Sequence, residues 1–350
     1  MPHPGLTAVC KNFRYNPDAF SSQLLLILGH IHGCVVNLPL VQFPRGTSSF
    51  QAVNVNDKSM VMKRTRVISL FDGISTGLVS LNQSGIIPDI YCSSEIDQYC
   101  LKVQRFNHGD KIVQLGDVRD LDSSALKQLG QIDLLMGGSP CNDLSLVNHR
   151  RKGLFDTTGT GVLFFEFLRV MLYLKNKSEW EQRQFFWFFE NTSKMEMKTK
   201  ETISRYLGCE PVKLCSSVYT PMKRQRYYWT NLPVSEQFLT ESMPNEVMEL
   251  QDLLCGSGRT AALKCLPTMT SNLTNMVKGG HLPVYDGNDG PSHMYLSELE
   301  KVFGLPVNYT AGPNTPLAER KKQLAKCWDT HTINHLLASF KSAVSFSTQV

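Results

Sequence analysis

Cys141 directly follows a proline in Gly137-Gly138-Ser139-Pro140-Cys141-Asn142, an arrangement that can present a single thiol as a nucleophile. Pro140 fixes φ ahead of it, and the two glycines let the backbone turn sharply after the short apolar run 132–136. The competing reading is a buried structural cysteine, which is what most intracellular cysteines are. Glu190 and Asn191 follow the aromatic run 185–189, where a carboxylate would be partly desolvated and suited to donating a proton. Pairing of Glu190 with a nearby Arg or Lys is the alternative. Arg224 and Arg226 stand two apart ahead of Tyr227-Tyr228-Trp229. On one strand face both guanidiniums could reach a phosphate or a base oxygen.

The elements that must position these residues begin at Arg66. Strands are expected at 67–71, 90–93, 112–115, 132–136 and 185–189, with a helix from about Thr76. Strands alternating with helical segments predict a Rossmann-like, doubly wound, mostly parallel α/β sheet. Each strand ends in an acidic or reactive residue, which points to one shared crevice. The turn Asp72-Gly73-Ile74-Ser75-Thr76-Gly77 is neither GxGxxG nor a Walker loop. Glu95 stands where a second-strand acid grips ribose hydroxyls, and Asp117 could accept from an adenine amino group. Each is as readily an ordinary turn or cap residue. Together they favour an adenosine-bearing cofactor without a pyrophosphate cradle, such as S-adenosylmethionine.

Residues 1–65 show no sustained period and are expected to form a poorly ordered extension. Residues 66–232 then hold the core, 233–295 a small loop-rich lobe, and 296–350 a last sheet-and-helix portion with helices in 318–326 and 333–345. The segment 162–174 is apolar nearly all round, so its helix is fully buried or half of a protein–protein contact. Basic residues cluster at 149–152, 223–226 and 320–322, which fits a polyanion partner or a solvated face. Ten cysteines without a CxxC pair argue against a zinc cluster or disulfide framework and for reduced thiols in cytosol or nucleus. The apolar run 23–28 is broken by Gly29, His30, His32 and Gly33 and is too short to span a bilayer, so no membrane partner is expected.

Read in order, Ser69-Leu70-Phe71-Asp72-Gly73, Gly116-Asp117-Val118-Arg119, the Ser139-Pro140-Cys141 stretch through Ser145, Phe189-Glu190-Asn191, Arg224-Gln225-Arg226 and Val302-Phe303-Gly304-Leu305-Pro306 resemble the DNA (cytosine-5) methyltransferases. Ser139-Pro140-Cys141-Asn142-Asp143-Leu144-Ser145 and Arg151-Lys152-Gly153-Leu154 are similar to the de novo subfamily. The resemblance runs from about Arg66 to Phe346. It implies a class I S-adenosylmethionine-dependent methyltransferase fold, with 233–295 as a target-recognition lobe, and a nuclear enzyme acting on DNA. Cys141 would attack C6 of a flipped cytosine, Glu190 would engage N3, and Asn191 would orient both regions. Arg226 would hold O2, with Arg224 supporting it or a phosphate. The resemblance also implies that Phe71, Asp72, Gly73, Ile74, Thr76, Glu95, Ile96, Asp117, Val118 and Trp328 line the cofactor pocket. Val147 would fill the space left by the flipped base, and Asn272 would lie in the DNA-reading segment. Phe165 and Tyr206 match the two halves of an aromatic contact through which family members assemble as homo-oligomers or with a related methyltransferase.

The chain departs from the family at several places. Gly-Arg-Ser-Trp is replaced by Ala325-Lys326-Cys327-Trp328, the recognition stretch 268–272 has no arginine, and the loop 155–162 is longer than usual. Two other readings follow: an inactive scaffold that stimulates an active partner, and a tRNA cytosine-5 methyltransferase. The intact Cys141, Glu190 and Arg226 oppose the first. The second class carries a Cys-Phe-Thr signature that is absent here.

Overall fold

The computed structural model describes residues 65–234, 246–270 and 281–346. The extension expected over 1–65 and the call on Asn272 therefore fall, but for Thr65, outside the described residues. Strand β1 (Thr65–Leu70) is followed by helix α1 (Thr76–Gln83), β2 (Pro88–Ser94), α2 (Gln98–His108), β3 (Ile112–Gln114), α3 (Ser123–Gln128) and β4 (Leu134–Gly137). Helix α4 (Phe164–Trp180), β5 (Phe186–Thr192), α5 (Met197–Leu207), β6 (Val212–Cys215) and β7 (Gln225–Thr230) complete the sheet. The seven strands lie in the order β3-β2-β1-β4-β5-β7-β6, all parallel except β7, which runs antiparallel to both neighbours. This is the doubly wound, mostly parallel sheet expected. The strand order reverses between β1 and β4, and an open α/β sheet opens its ligand crevice at such a point.

Strand β5 shows why the sequence folds this way. Its aromatic residues alternate between the two sheet faces. Phe186 and Phe188 pack with the cluster that includes Val67, Leu134, Leu336 and Phe340. Trp187 and Phe189 meet α4 instead, where Phe167 lies 6.4 Å and 4.8 Å from their ring centres. Burying each such ring contributes on the order of 2 kcal/mol. Of the two readings for the apolar helix, burial accounts for most of it: Phe164, Phe167, Leu168, Val170, Met171, Leu172 and Leu174 of α4 are all buried.

Past the sheet come a short helix α6 (Leu250–Leu253) and a three-stranded sheet of β8 (Arg259–Ala261), β9 (Val284–Asp286) and β10 (Pro291–Ser292). Helices α7 (Leu296–Val302), α8 (Leu317–Lys326) and α9 (Thr330–Phe346) follow. The sheet expected in the last portion is corrected: the described residues after 296 hold helices and turns but no strand. Their apolar residues, among them Leu299, Val302, Phe303 and Leu324, share a core with Ile74, Met222, Leu266 and Val284. Arg259 ties the small sheet to α7 through buried Glu298 at 2.8 Å, and stacks at 3.7 Å over Tyr295. No helix among the described residues is long and apolar enough to cross a membrane.

Candidate active site

Strand register sets the geometry. Leu70, Gly137 and Phe189 stand side by side across β1, β4 and β5. The residues just beyond them, Phe71-Asp72, Gly138-Ser139 and Glu190-Asn191, therefore share one edge of the crevice, with neighbouring strands about 4.8 Å apart.

Cys141 is half-buried in the turn after β4, and its carbonyl accepts from Leu144 N at 3.1 Å and Ser145 N at 2.9 Å. Burial pushes the thiol above its ordinary range; the Arg226 charge lowers it, Glu190 raises it and Arg224 lowers it. Glu190 is buried, with its two carboxylate oxygens on different partners. Oε1 forms an ion pair with Arg226, 2.9 Å from Nε, and Trp328 Nε1 donates to Oε2 at 3.1 Å. The pairing with an arginine, the alternative weighed for Glu190, is thus what the structure shows. Asn191 Nδ2 donates to the Ser139 carbonyl at 3.1 Å, fixing the Pro140-Cys141 step against β5.

Arg224 requires a correction. It precedes β7, so the two-residue strand spacing does not put it beside Arg226. Its buried guanidinium turns away to donate to the carbonyls of Cys327 (2.8 Å) and Ala325 (3.3 Å), 5.7 Å over the Phe303 ring. Desolvation lowers its proton affinity, which the neighbouring Arg226 reinforces and the Glu190 carboxylate opposes.

The β1 tip forms a tight turn. Phe71 and Ser75 adopt left-handed φ values of 57° and 59°, uncommon outside glycine and frequent at ligand-binding turns. Asp72 builds this turn rather than facing the crevice: it accepts from Ser75 Oγ at 2.5 Å and Tyr91 OH at 2.7 Å. Burial raises its proton affinity against those bonds. Glu95 accepts from Gly73 N at 2.7 Å and from Ile96 N and Asp97 N at 2.8 Å, joining the β1 and β2 tips. Ile74, Thr76 and Val118 are buried, whereas Ile96 is exposed. Asp117 is engaged by Arg119 in an exposed pair at 2.5 Å, which holds the carboxyl below its usual range. A surface pair of this kind contributes little and exchanges readily for another partner. A side chain built on Gly73 would meet nothing within 4 Å, so the space above the turn is open. Open space over a glycine turn at the switch point, with no phosphate-gripping loop, fits a nucleoside-bearing ligand such as S-adenosylmethionine.

Val147 is exposed on the loop after Cys141, and Leu146 N anchors that loop to the Lys194 carbonyl at 2.8 Å. Phe165 and Tyr206, expected as two halves of a contact, meet within one chain: their rings lie 5.4 Å apart, edge to face. Phe155, more than half exposed, covers Phe165 at 5.6 Å. Sequence reasoning gave no role to the carboxylate of Asp143. It accepts from Thr160 N at 2.6 Å and Lys152 N at 3.2 Å, pinning the 152–160 loop to the nucleophile turn. The threonine- and glycine-rich stretch 157–161, whose amides need an acceptor, was the available signal. Among the described residues no His, Cys, Asp and Glu cluster could hold a metal ion.

Residues 65–208 match the family described as C-5 cytosine-specific DNA methylase. The orphan methyltransferase M.SPRI of Bacillus phage SPR is 37% identical over 131 residues, which are 37% of this chain and 27% of that protein. The DNA (cytosine-5)-methyltransferase DRM1 of Arabidopsis thaliana is 32% identical over 127 residues, 33% of this chain and 20% of that protein. The chain thus spans only a fifth to about a quarter of the length of these relatives. Among solved structures, the Dnmt2 methyltransferase of S. pombe superimposes with a TM-score of 0.58 at 15% identity, covering 82% of this chain and 100% of that one. The Entamoeba histolytica methyltransferase EhMeth gives 0.62 at 16% identity, covering 81% and 99%. At such identities the likeness is one of fold: the mostly parallel seven-stranded α/β sheet, consistent with the class I methyltransferase fold.

Proposed function

Starting from a C-5 cytosine-specific DNA methylase domain at residues 65–208, we propose that this chain is a nuclear DNA (cytosine-5)-methyltransferase of the de novo kind, using S-adenosylmethionine. The observation that carries the reading is the convergence of Cys141, Glu190 and Arg226 at adjacent strand tips, with Glu190 held between the Arg226 charge and the Trp328 indole N–H.

Cytosine C5 is a weak nucleophile inside a stacked base, and extruding that base costs a few kcal/mol. The Cys141 thiolate adds to C6, forming the S–C6 bond as the C5–C6 π pair is displaced, while Glu190 in its protonated form gives N3 a proton and neutralises the charge that builds there. Electron density then returns to C5 as an enamine. The Phe71–Thr76 turn with Glu95, Ile96, Asp117 and Val118 would hold S-adenosylmethionine, which when bound would supply C5 with a sulfonium methyl group and leave as S-adenosylhomocysteine. Loss of the C5 proton drives out the Cys141 thiolate, restoring the aromatic ring. The Arg226 guanidinium presents five donors in a fork, so it can serve the Glu190 carboxylate and cytosine O2 together. Val147 fills the vacated stack, and residues 233–295, including Asn272, read the flanking bases. The Phe155, Phe165 and Tyr206 patch is the face for assembly with a second copy or a related methyltransferase.

Tritium release from C5-labelled duplex DNA and from tRNA, measured side by side, tests this reading. Release from DNA that Cys141→Ala abolishes is the expected outcome. Release from tRNA alone would move the substrate to RNA, and no release with stimulation of an added methyltransferase would make the chain a scaffold. Activity unchanged in Cys141→Ala would overturn the mechanism.

A further inference from the structure

From the sequence, Trp328 is expected only as a wall of the cofactor pocket, yet its indole N–H donates to the carboxylate of Glu190. The contact is enclosed. A Cβ on Gly138 would stand 2.8 Å from Glu190 Oε2 and 3.1 Å from Trp328 Nε1, so any side chain there would press on this bond. One edge of the indole reaches α1, where a Cβ on Gly77 would stand 3.3 Å from Cζ3. Its ring lies 5.4 Å from that of Phe188 in β5. The indole therefore spans from the first βα turn to the residue that would engage the base.

The backbone on both sides of Trp328 is held fast. Arg224 takes the carbonyls of Ala325 and Cys327 just before it. Asp329, just after it, accepts from Thr332 N at 2.9 Å at the start of α9 and from Ser216 Oγ at 2.6 Å. The replacement of the family's Gly-Arg-Ser by Ala325-Lys326-Cys327 leaves this arrangement intact, because Arg224 uses main-chain carbonyls that any residue supplies. The Cys327 thiol turns inward to the Leu324 carbonyl at 3.3 Å. A buried arginine, a capped helix start and a glycine in close contact all bear on one bond.

We infer that Trp328 is a positioning residue for Glu190, its indole N–H fixing the carboxylate that Arg226 holds from the other side, with Arg224 as the clamp that sets the indole. The inference rests on the methyltransferase reading, since it assigns Glu190 its task there. Hydrogen bonds to a charged group are among the stronger ones, so their loss affects rate by about ten- to a hundredfold.

The test is Trp328→Phe, which keeps an aromatic ring against Phe188 and loses the N–H. The expected result is a kcat for tritium release from DNA lowered about tenfold or more, with S-adenosylhomocysteine affinity by calorimetry within about twofold of wild type. In a Glu190→Gln background, the same substitution should cost markedly less, since a residue acting through Glu190 cannot act twice. Should the phenylalanine variant fail to fold, benzothienylalanine at position 328 replaces the N–H by sulfur at nearly the same shape and carries the same expectation. An unchanged kcat, a loss confined to cofactor affinity, or equal loss with and without Glu190 would each overturn the inference. Failure of the wild-type protein to release tritium from DNA or tRNA would instead overturn the methyltransferase reading itself.

Discussion

Burial opposes ionisation of the Cys141 thiol, and the nearest relief comes from the Arg226 charge. The thiolate is the reactive form, so alkylation of Cys141 by iodoacetamide, followed by peptide mass spectrometry, should rise with pH through the thiol's ionisation. Removing the cation in Arg226→Met favours the neutral thiol and should move that limb to higher pH. A limb that stays in place would mean that Arg226 does not act on the nucleophile. Cys141, Glu190 and Arg226 were legible as candidates because their chemistry lies in the side chains themselves and in a short local pattern. Arg224 was not: its target carbonyls lie about a hundred positions away in sequence, and local spacing holds no information about them.

Strand β5 carries its own instructions, since alternate aromatic residues must face opposite layers and the sheet on either side is apolar. The same logic placed β1 to β4 within a few residues and passed over β6. It failed after residue 296, where short apolar runs bounded by turns read equally as strand or buried helix. The aromatic patch on α4 and α5 leads to a prediction at this scale. Phe165 is partly exposed and touches Phe155, Phe164 and Tyr206. Phe165→Glu puts a charge into that patch and should lower the assembled mass in light scattering, with the sheet's circular dichroism retained. A mass equal to wild type would count against this face as the assembly surface.

Distant parts of the chain are stapled across the molecule. Tyr309 donates its hydroxyl to the Ile74 carbonyl at 2.7 Å and stands 2.7 Å from His108 Nε2. This joins the turn after β1, the end of α2 and the loop after α7. Burial, aided by Lys111, pushes His108 down to about 4 from its ordinary 6.5. Between those two values the unfolded chain binds a proton that the folded one refuses, so stability is full above the window and falls as pH drops through it. Urea unfolding at pH 7 and pH 5 should show this loss, and His108→Gln should reduce it. A variant with the wild-type pH dependence would show that His108 does not carry it. His331, also lowered by burial, contributes in the same sense.

By itself the sequence determined the mostly parallel, doubly wound sheet and singled out Cys141 and Glu190 as the candidates at its strand tips. Hydrophobic period, glycine turns and reactive side chains are local properties that need no knowledge of the rest of the chain. Tertiary structure alone decided what each charged group touches. It gave Arg224 to the Cys327 carbonyl, Asp72 to its own turn and the Trp328 indole to Glu190, because hydrogen-bond partners are set by which segments the packed sheet brings within 3 Å.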